Sequence, residues 1–325
     1  MTMRSELTII ATFALALTLA VGLATTTAAQ DDQPPEPAPP EDPDQLLVLP
    51  DVADDIDAYL HLPPPRPAGG IRQLAASDRQ ACVLLQNGLV ECWPIDETFD
   101  TFVAPPNELF AAIAVGRDHA CGLDPTSRPI CWGDNRYGQL NAPNEIFLDI
   151  AAGDHHSCGI DVTGEIHCWG QLDAAHRNPP SGPFDKISAG ADRTCVAGPW
   201  EPSRCFGGHT APDEPFDEYV HLLETSSNVV CALDLSNRPI CRLDPMPRPF
   251  EPPSPLAADI AVGSGFMCTL EPSGALRCAG PDAPALPPSP PISQIIDAGE
   301  QTLCAVTVLN ELKCWDGDDS LFEDQ

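Results

Sequence analysis

The residues of this chain whose types and spacing could do chemistry are, first, its fourteen cysteines. They form seven pairs of one spacing, Cys-x9-Cys, recurring every 36 to 39 residues. The pairs are Cys82 with Cys92, Cys121 with Cys131, Cys158 with Cys168, Cys195 with Cys205, Cys231 with Cys241, Cys268 with Cys278, and Cys304 with Cys314. Paired sulfurs could hold zinc or close disulfides. Structural zinc sites use short Cys-x2–4-Cys knuckles, and a nine-residue gap has the wrong reach. Seven disulfides are the reading that remains, with no metal and no cofactor expected.

Histidines and carboxylates come next. His119, His155 and His156 sit just before cysteines, beside Asp118 and Asp154. Asp154, His156 and Ser157 have the residue types of a hydrolytic triad. Neighbours along a strand point to opposite faces, however, so these three do not converge unaided. A position repeated in several units is better explained by a structural hydrogen bond to backbone within the blade, since a catalytic site is built once. Trp93, Trp132, Trp169 and Trp315 share the position after the second cysteine, which suits packing between units. Asp316-Gly-Asp318-Asp319 lacks the ligand spacing and terminal Glu of a calcium loop. The chain has no phosphate-cradling glycine loop, nucleophile elbow or zinc-protease helix, and no unique constellation of His, Asp and Glu. No catalytic residue is expected, and the chain reads as a non-enzyme.

The elements that position these residues follow from the same spacing. Folding the third unit about Thr163 as an antiparallel hairpin sets Cys158 opposite Cys168, at a Cα separation of roughly 4.5–5.5 Å, within disulfide range. It also sets Ile160 opposite Ile166 on the same face. The parity repeats, with Leu84 facing Val90, Leu270 facing Leu276 and Val306 facing Leu312. Asn87-Gly88, Thr163-Gly164 and Ser273-Gly274 supply turn chemistry at the apex. A shorter strand of small residues precedes each hairpin, as in Asp149-Ile-Ala-Ala-Gly153, Lys186-Ile-Ser-Ala-Gly190, Asp259-Ile-Ala-Val-Gly263 and Ile295-Ile-Asp-Ala-Gly299. A unit of this size leaves sheet edges and a face uncovered, so units must stack. Seven units over residues 66–325 predict an all-β, seven-bladed β-propeller with one intra-blade disulfide hairpin per repeat.

Residues 1–29 read as a secretory signal peptide, with Arg4, an apolar run from Ile9 to Ala24 and the small-residue site Thr27-Ala28-Ala29. Export to the periplasm, cell envelope or medium agrees with the disulfides. Residues 30–65 hold ten prolines, ten acidic residues and no Lys or Arg, the composition of an acidic, Pro-rich disordered linker. Its apolar islands, Leu46-Leu-Val-Leu49 and Ile56-Asp-Ala-Tyr59-Leu60, either dock on the folded part or lie in a plain spacer. The formal net charge is −32 with only two lysines, Lys186 and Lys313, which excludes a nucleic-acid partner and disfavours an anionic membrane. No stretch is long enough for a membrane span. The acid either maintains solubility or steers basic partners.

The second unit reads Gly116-Arg-Asp-His119-Ala-Cys121-Gly-Leu, then Ile130-Cys131-Trp132-Gly133-Asp-Asn135-Arg-Tyr137-Gly138-Gln139-Leu140. It resembles the repeat of the regulator of chromosome condensation family, and the third unit matches nearly as well. Only the second keeps the Gly-Gln-Leu ending; Phe206, Arg242 and Ala279 stand where the fourth, fifth and sixth units would have Trp. The resemblance covers residues 71–325 and implies a seven-bladed propeller. It also implies use as an interaction module, since the family includes a nuclear nucleotide-exchange factor and a secreted propeller inhibitor of beta-lactamases. Exchange activity is not expected of an oxidised, acidic, exported chain. The expectation is therefore a monomeric, non-enzymatic module for an unknown protein partner, with Arg136, Tyr137 and the hairpin-apex Trp200 as candidate contacts. A glycan-binding propeller is the alternative, which would use exposed aromatics such as Trp132 beside Asp134 and Asn135.

Overall fold

Every Cys-x9-Cys segment folds as an antiparallel hairpin with its cysteines directly opposed, and all seven pairs are bonded. Cys82 joins Cys92, Cys121 joins Cys131, Cys158 joins Cys168 and Cys195 joins Cys205. Cys231 joins Cys241, Cys268 joins Cys278 and Cys304 joins Cys314. The Cα separations, from 4.0 Å in the Cys195 and Cys205 pair to 4.1 Å in the Cys82 and Cys92 pair, are shorter than the spacing of opposed residues predicts. In the computed structural model, residues 70–95, 102–199, 202–208, 216, 219–243, 251–287, 293–316 and 319–320 are described. They fall in one unit, Asp57–Gln325. The signal-peptide and linker segments, Trp200, and Gly317 and Asp318 of the acidic tail motif lie outside the described residues.

Each repeat contributes an inner strand, a middle strand and an outer strand. Blade 1 is β1 (Ile71–Ala76), β2 (Gln80–Leu85) and β3 (Val90–Pro94), and blade 2 is β4 (Ala112–Val115), β5 (His119–Leu123) and β6 (Pro129–Gly133). Blade 3 is β7 (Phe147–Ala152), β8 (His156–Asp161) and β9 (Ile166–Gly170). Blade 4 is β10 (Lys186–Ala189), β11 (Arg193–Ala197) and β12 (Arg204–Gly207), and blade 5 is β13 (Val220–Thr225), β14 (Val229–Asp234) and β15 (Pro239–Leu243). Blade 6 is β16 (Asp259–Gly263), β17 (Phe266–Leu270) and β18 (Leu276–Ala279). Blade 7 is β19 (Ser293–Ala298), β20 (Thr302–Thr307) and β21 (Leu312–Asp316), extended by the short fourth strand β22 (Asp319–Ser320). The fourth and fifth blades, whose motifs drift furthest, have the same three-stranded order as the others.

The registers follow the sequence parity. Leu84 faces Val90, Ile160 faces Ile166, Leu270 faces Leu276 and Val306 faces Leu312. At the hairpin apex Gly88, Gly164 and Gly274 have φ of 86°, 85° and 83°. Blades without a glycine there place Ser127, Asn237 and Asn310 in the same left-handed region, at φ of 63°, 59° and 59°. Side-chain acceptors compensate: Asp124 Oδ1 accepts the amides of Thr126 and Arg128, and Asp234 Oδ1 those of Ser236 and Arg238.

The hydrophobic core is not inside the blades but between them. Seven separate clusters of buried side chains each join two consecutive blades, and each contains the cystine of one. Between blades 2 and 3, for example, Cys121, Cys131 and Leu123 pack against Phe147, Ile150 and Trp169. The last seam joins the ends of the ring, with Cys304, Val306, Leu312 and Cys314 of blade 7 against Ile71, Leu74, Val83 and Leu85 of blade 1. Two polar contacts reinforce it: Ala76 N donates to Asp297 Oδ2 at 2.8 Å and Gln301 N to Asp78 Oδ1 at 2.7 Å. Among the described residues, closure uses no strand exchanged between the first and last blades.

A ten-residue separation closes a small loop, so each bridge restricts the unfolded chain by roughly 2–3 kcal/mol. Urea unfolding of a double variant, Cys268→Ala with Cys278→Ala, should show a loss of at least this size with the fold retained. A loss far below it would mean that the bridge does not constrain the unfolded chain.

Candidate functional site

The inner strands surround a central cavity of about 350 Å³. Small residues let seven strands approach one axis, but the inward positions also bring together four carboxylates that the sequence leaves scattered: Asp149, Glu224, Asp259 and Asp297. This corrects the expectation that no carboxylate constellation forms. Their bonding explains them structurally. Asp149 accepts the amides of Ile150 on its own strand and Ile187 on the next blade; Asp259 does the same with Ile260 and Ile296. Asp297 accepts from Ala298 and Ala76, again bridging blades. Glu224 accepts from Ser188 Oγ, which in turn accepts the Thr225 amide. Gln73 exchanges two bonds with the backbone of Ile113 in the same way.

Each of these acids lines the cavity while protein surrounds it on the other sides. Burial pushes Asp149 and Asp259 up to about 6 and Asp297 up to about 7, against the pull of the amide donors. Glu224 is pushed well above the carboxylate range by burial first, then by the charges of Asp297 and Asp259. Near one end of the cavity lie Arg72, Lys186 and His221, and the turns at the other end carry Asp78, Arg117, Asp154 and Glu300.

The repeated histidine also bonds differently from expectation. It does not bond backbone within its blade; it crosses the seam to a hydroxyl of the following blade. His119 Nε2 lies 2.8 Å from Ser157 Oγ, and His156 Nε2 lies 2.9 Å from Thr194 Oγ1. The reason is radial: the residue before each first cysteine points toward the preceding blade, so Ser157 and Thr194 face the imidazoles. Burial holds His119 down at about 4 and His156 at about 3, so both are neutral bridges at physiological pH. Asp154, His156 and Ser157 do not converge.

One residue the sequence reading missed is His176. Its Nδ1 lies 2.9 Å from Asp173 Oδ1 and its Nε2 lies 3.2 Å from Thr194 Oγ1. With Nδ1–H donating to Asp173, Nε2 accepts the Thr194 hydroxyl proton, and Thr194 accepts from Nε2–H of His156. Asp173, His176 and Thr194 thus align like a hydrolytic triad. Thr194 is fully buried and bonded on both sides, so its hydroxyl is closed to a substrate, and the chain of bonds serves the seam. A local sequence signal was the Asp173-x-x-His176 spacing beyond β9.

The tryptophans pack into seams. Trp132, Trp169 and Trp315 are buried, and Trp93 is partly buried against blade 7. The Trp169 indole donates to the carbonyl of Gln139, 2.8 Å away in the preceding blade. Trp132 therefore offers no exposed platform to a glycan. Arg136 and Tyr137, by contrast, stand on the surface. Arg136 bridges Asp134 and Asp118, which also binds Arg79 of blade 1 at 2.7 Å. Tyr137 is half exposed, with its ring 4.8 Å from that of His155 in blade 3. Gln139 is buried beneath them and ties Asp134 to the Tyr137 amide.

The carboxylate shifts carry a sign. Their folded values lie above the unfolded value of about 3.9, so their contribution is full below that pH and is lost as pH rises through 6 to 7 and beyond. The buried histidines act oppositely, contributing above about 6.5 and losing it as pH falls toward 4 and 3. The range between about pH 7 and 8 therefore reports chiefly on Asp297 and Glu224, because Asp149 and Asp259 have largely ionised below it. Melting temperature should fall across it, and Glu224→Gln, which keeps an acceptor for Ser188, should flatten the slope. Parallel slopes in both proteins would refute coupled burial of these acids.

Comparison with known proteins agrees with this architecture. The pattern of the Regulator of chromosome condensation (RCC1) repeat matches residues 110–139 and 147–171. The serine/threonine-protein kinase-like protein CCR4 of Arabidopsis thaliana is 38% identical over 58 residues, which are 18% of this chain and 7% of that protein. Among solved structures, the entire ectodomain of the Physcomitrella patens receptor kinase CR4 superposes with a TM-score of 0.62 at 19% identity, over 77% of this chain and 74% of that one. The CRINKLY WD40 ectodomain of the Arabidopsis thaliana receptor kinase ACR4 gives 0.60 at 19% identity, over 76% of this chain and 99% of that one. Prp20p from Saccharomyces cerevisiae gives 0.53 at 15% identity, over 80% and 83%. This chain is a seven-bladed propeller whose second and third blades match the regulator of chromosome condensation repeat in sequence, and whose ring is similar in fold to those solved structures.

Proposed function

We propose that this propeller is an exported, non-enzymatic module that binds another protein through the rim formed by the turns between inner and middle strands, centred on blades 2 and 3. The observation that carries the reading is the ordered surface there. Arg79, Asp118, Arg136 and Asp134 form a continuous ion-pair network across blades 1 and 2, and Tyr137 rests on His155 across the next seam. Exposed Tyr and Arg held in fixed rotamers lose little entropy on binding, and such residues dominate interface energetics. Asp154 and Asp192 beside this patch and Glu300 at the same end of the ring, with a chain charge of −32, favour a partner with basic groups.

Export is supported by the seven disulfides, which persist in oxidising compartments. The receptor-kinase ectodomains of similar fold agree with an extracellular setting. The buried carboxylates and histidines are occupied by seam bonds, which favours a non-catalytic role. The glycan alternative loses its main feature with the burial of Trp132.

The test is cross-linked affinity capture from the native secretome and envelope with the full oxidised chain. Saturable capture of one protein is expected, weakened by about tenfold or more in Tyr137→Ala and Arg136→Glu. Equal capture by both variants, or by a fully reduced sample, would overturn the reading.

A further inference from the structure

On the outer part of blade 3, away from the rim and the central cavity, three ligand-type side chains converge: Glu145 ahead of β7, Asp161 at the end of β8 and His167 on β9. His167 Nε2 lies 3.0 Å from Asp161 Oδ2 and 3.2 Å from Glu145 Oε2. We propose that Glu145, Asp161 and His167 form a binding site for a divalent first-row transition ion of the zinc class, completed by solvent.

The spacing suits such an ion. With bonds of about 2.0–2.2 Å, a tetrahedral zinc site separates its ligand atoms by roughly 3.3–3.5 Å. The two separations from His167 need only a few tenths of an ångström of adjustment, and all three ligand atoms lie within 4.8 Å of one another. Without an ion, a single Nε2 proton faces two carboxylate oxygens and cannot donate linearly to both. A dication placed among the three atoms satisfies all of them and balances the two negative charges.

The surrounding contacts orient the ligands. Asp161 Oδ1 accepts from the amide and hydroxyl of Thr163 and from the amide of Glu165, leaving Oδ2 as the oxygen turned to the imidazole. The ring of Phe147 meets the imidazole edge-on at 5.9 Å and limits its rotation. Support of this kind is what a metal ligand needs from its neighbours.

The same place in the repeat shows what is different here. In blade 6 the carboxylate at the start of the turn, Glu271, meets the guanidinium of Arg277 at 2.6 Å, so one acid is matched by one permanent cation. Blade 3 sets two acids against one imidazole. His167 and Asp161 are partly buried and Glu145 is exposed, so an ion can enter from solvent without opening a seam.

The inference is independent of the partner-binding reading. The test is a zinc chloride titration of the full oxidised chain, stripped with chelator, followed by calorimetry and by the imidazole nitrogen shifts of His167. One equivalent of zinc bound, with coordination at His167 Nε2 and affinity at least about tenfold weaker in His167→Ala and in Glu145→Gln, is the expected result. Glu145 is exposed ahead of β7, so Glu145→Gln alone decides should the histidine variant misfold. Absence of saturable zinc binding, or binding unchanged in Glu145→Gln, would overturn the site.

Discussion

The rest of the structure depends on the seam between consecutive blades. A sheet of three strands has two faces and cannot cover either, so each blade is stable only against its neighbours. The cystine of one blade is the floor of the seam, and side chains of the adjoining blade cover it. Small residues on the inner strands follow from the crowding near the axis. The glycine closing the strand follows too: a Cβ on Gly116 would collide with the carbonyl of Gly153, and one on Gly153 with that of Gly190. The disulfides therefore serve twice, as crosslinks within a hairpin and as packing atoms between hairpins.

The seam also accounts for most of the polar side chains that could be mistaken for a catalytic centre. His119, His156, His176 and the cavity carboxylates sit where an apolar strand has backbone amides or a hydroxyl left to satisfy. Leaving such a group unpaired inside the ring would cost about 1–3 kcal/mol, and charge-bearing acceptors remove that cost. The cost moves into proton affinity, where burial drives the cavity carboxyls up and the imidazoles of His119 and His156 down. Titration shifts of this kind mark catalytic sites only when the group is also open to a substrate. Thr194 and Ser157 are sealed, so the shifts of His119 and His156 report packing, while the carboxylates line the cavity and bond across the seams.

What was legible in the sequence was what is local. The hairpin registers, the turn conformations and the seven bridges each lie within about a dozen residues, and residue spacing alone determines them. The parity that sets Ile160 opposite Ile166 needs no knowledge of the neighbouring blade. Even where the motif around it has drifted, as at Cys205 beside Phe206 and Cys278 beside Ala279, the spacing alone placed the bridge. Contacts between blades were illegible for the opposite reason. The His119–Ser157 bond spans 38 residues and exists only because the ring is closed radially. The four cavity carboxylates were hidden because they occupy two different inward positions: Asp149 and Asp259 stand four residues before the closing glycine, Asp297 two before it, and Glu224 two before Ser226, which replaces that glycine in blade 5. His176 was hidden because the third unit has lost the motif around it, although it stands at the repeat position that Gln139 fills in the second. The packing role read for the repeated tryptophans holds for Trp132, and only the alternative glycan reading, which needed it as a platform, is lost with its burial.

The divergent blades show that the seam constrains volume more than residue identity. Where blade 6 has Ala279 in place of the aromatic, Met267 approaches the blade 5 cystine, its sulfur 3.1 Å from that of Cys241. A flexible thioether is suited to fill such a gap. Where blade 5 has Arg242 in that place, its guanidinium lies over the ring of Phe216 at 5.9 Å. Repeats can thus lose the family motif and still close the ring, which leaves the second and third blades free to keep features that packing alone does not require. The Asn135-to-Leu140 segment is such a feature. Gln139 is needed by the seam, since its carbonyl receives the Trp169 indole, yet Arg136 and Tyr137 beside it face solvent. A loop anchored by a buried glutamine and presenting an arginine and a tyrosine is the surface proposed above for the partner, and it arises where the repeat is least degraded.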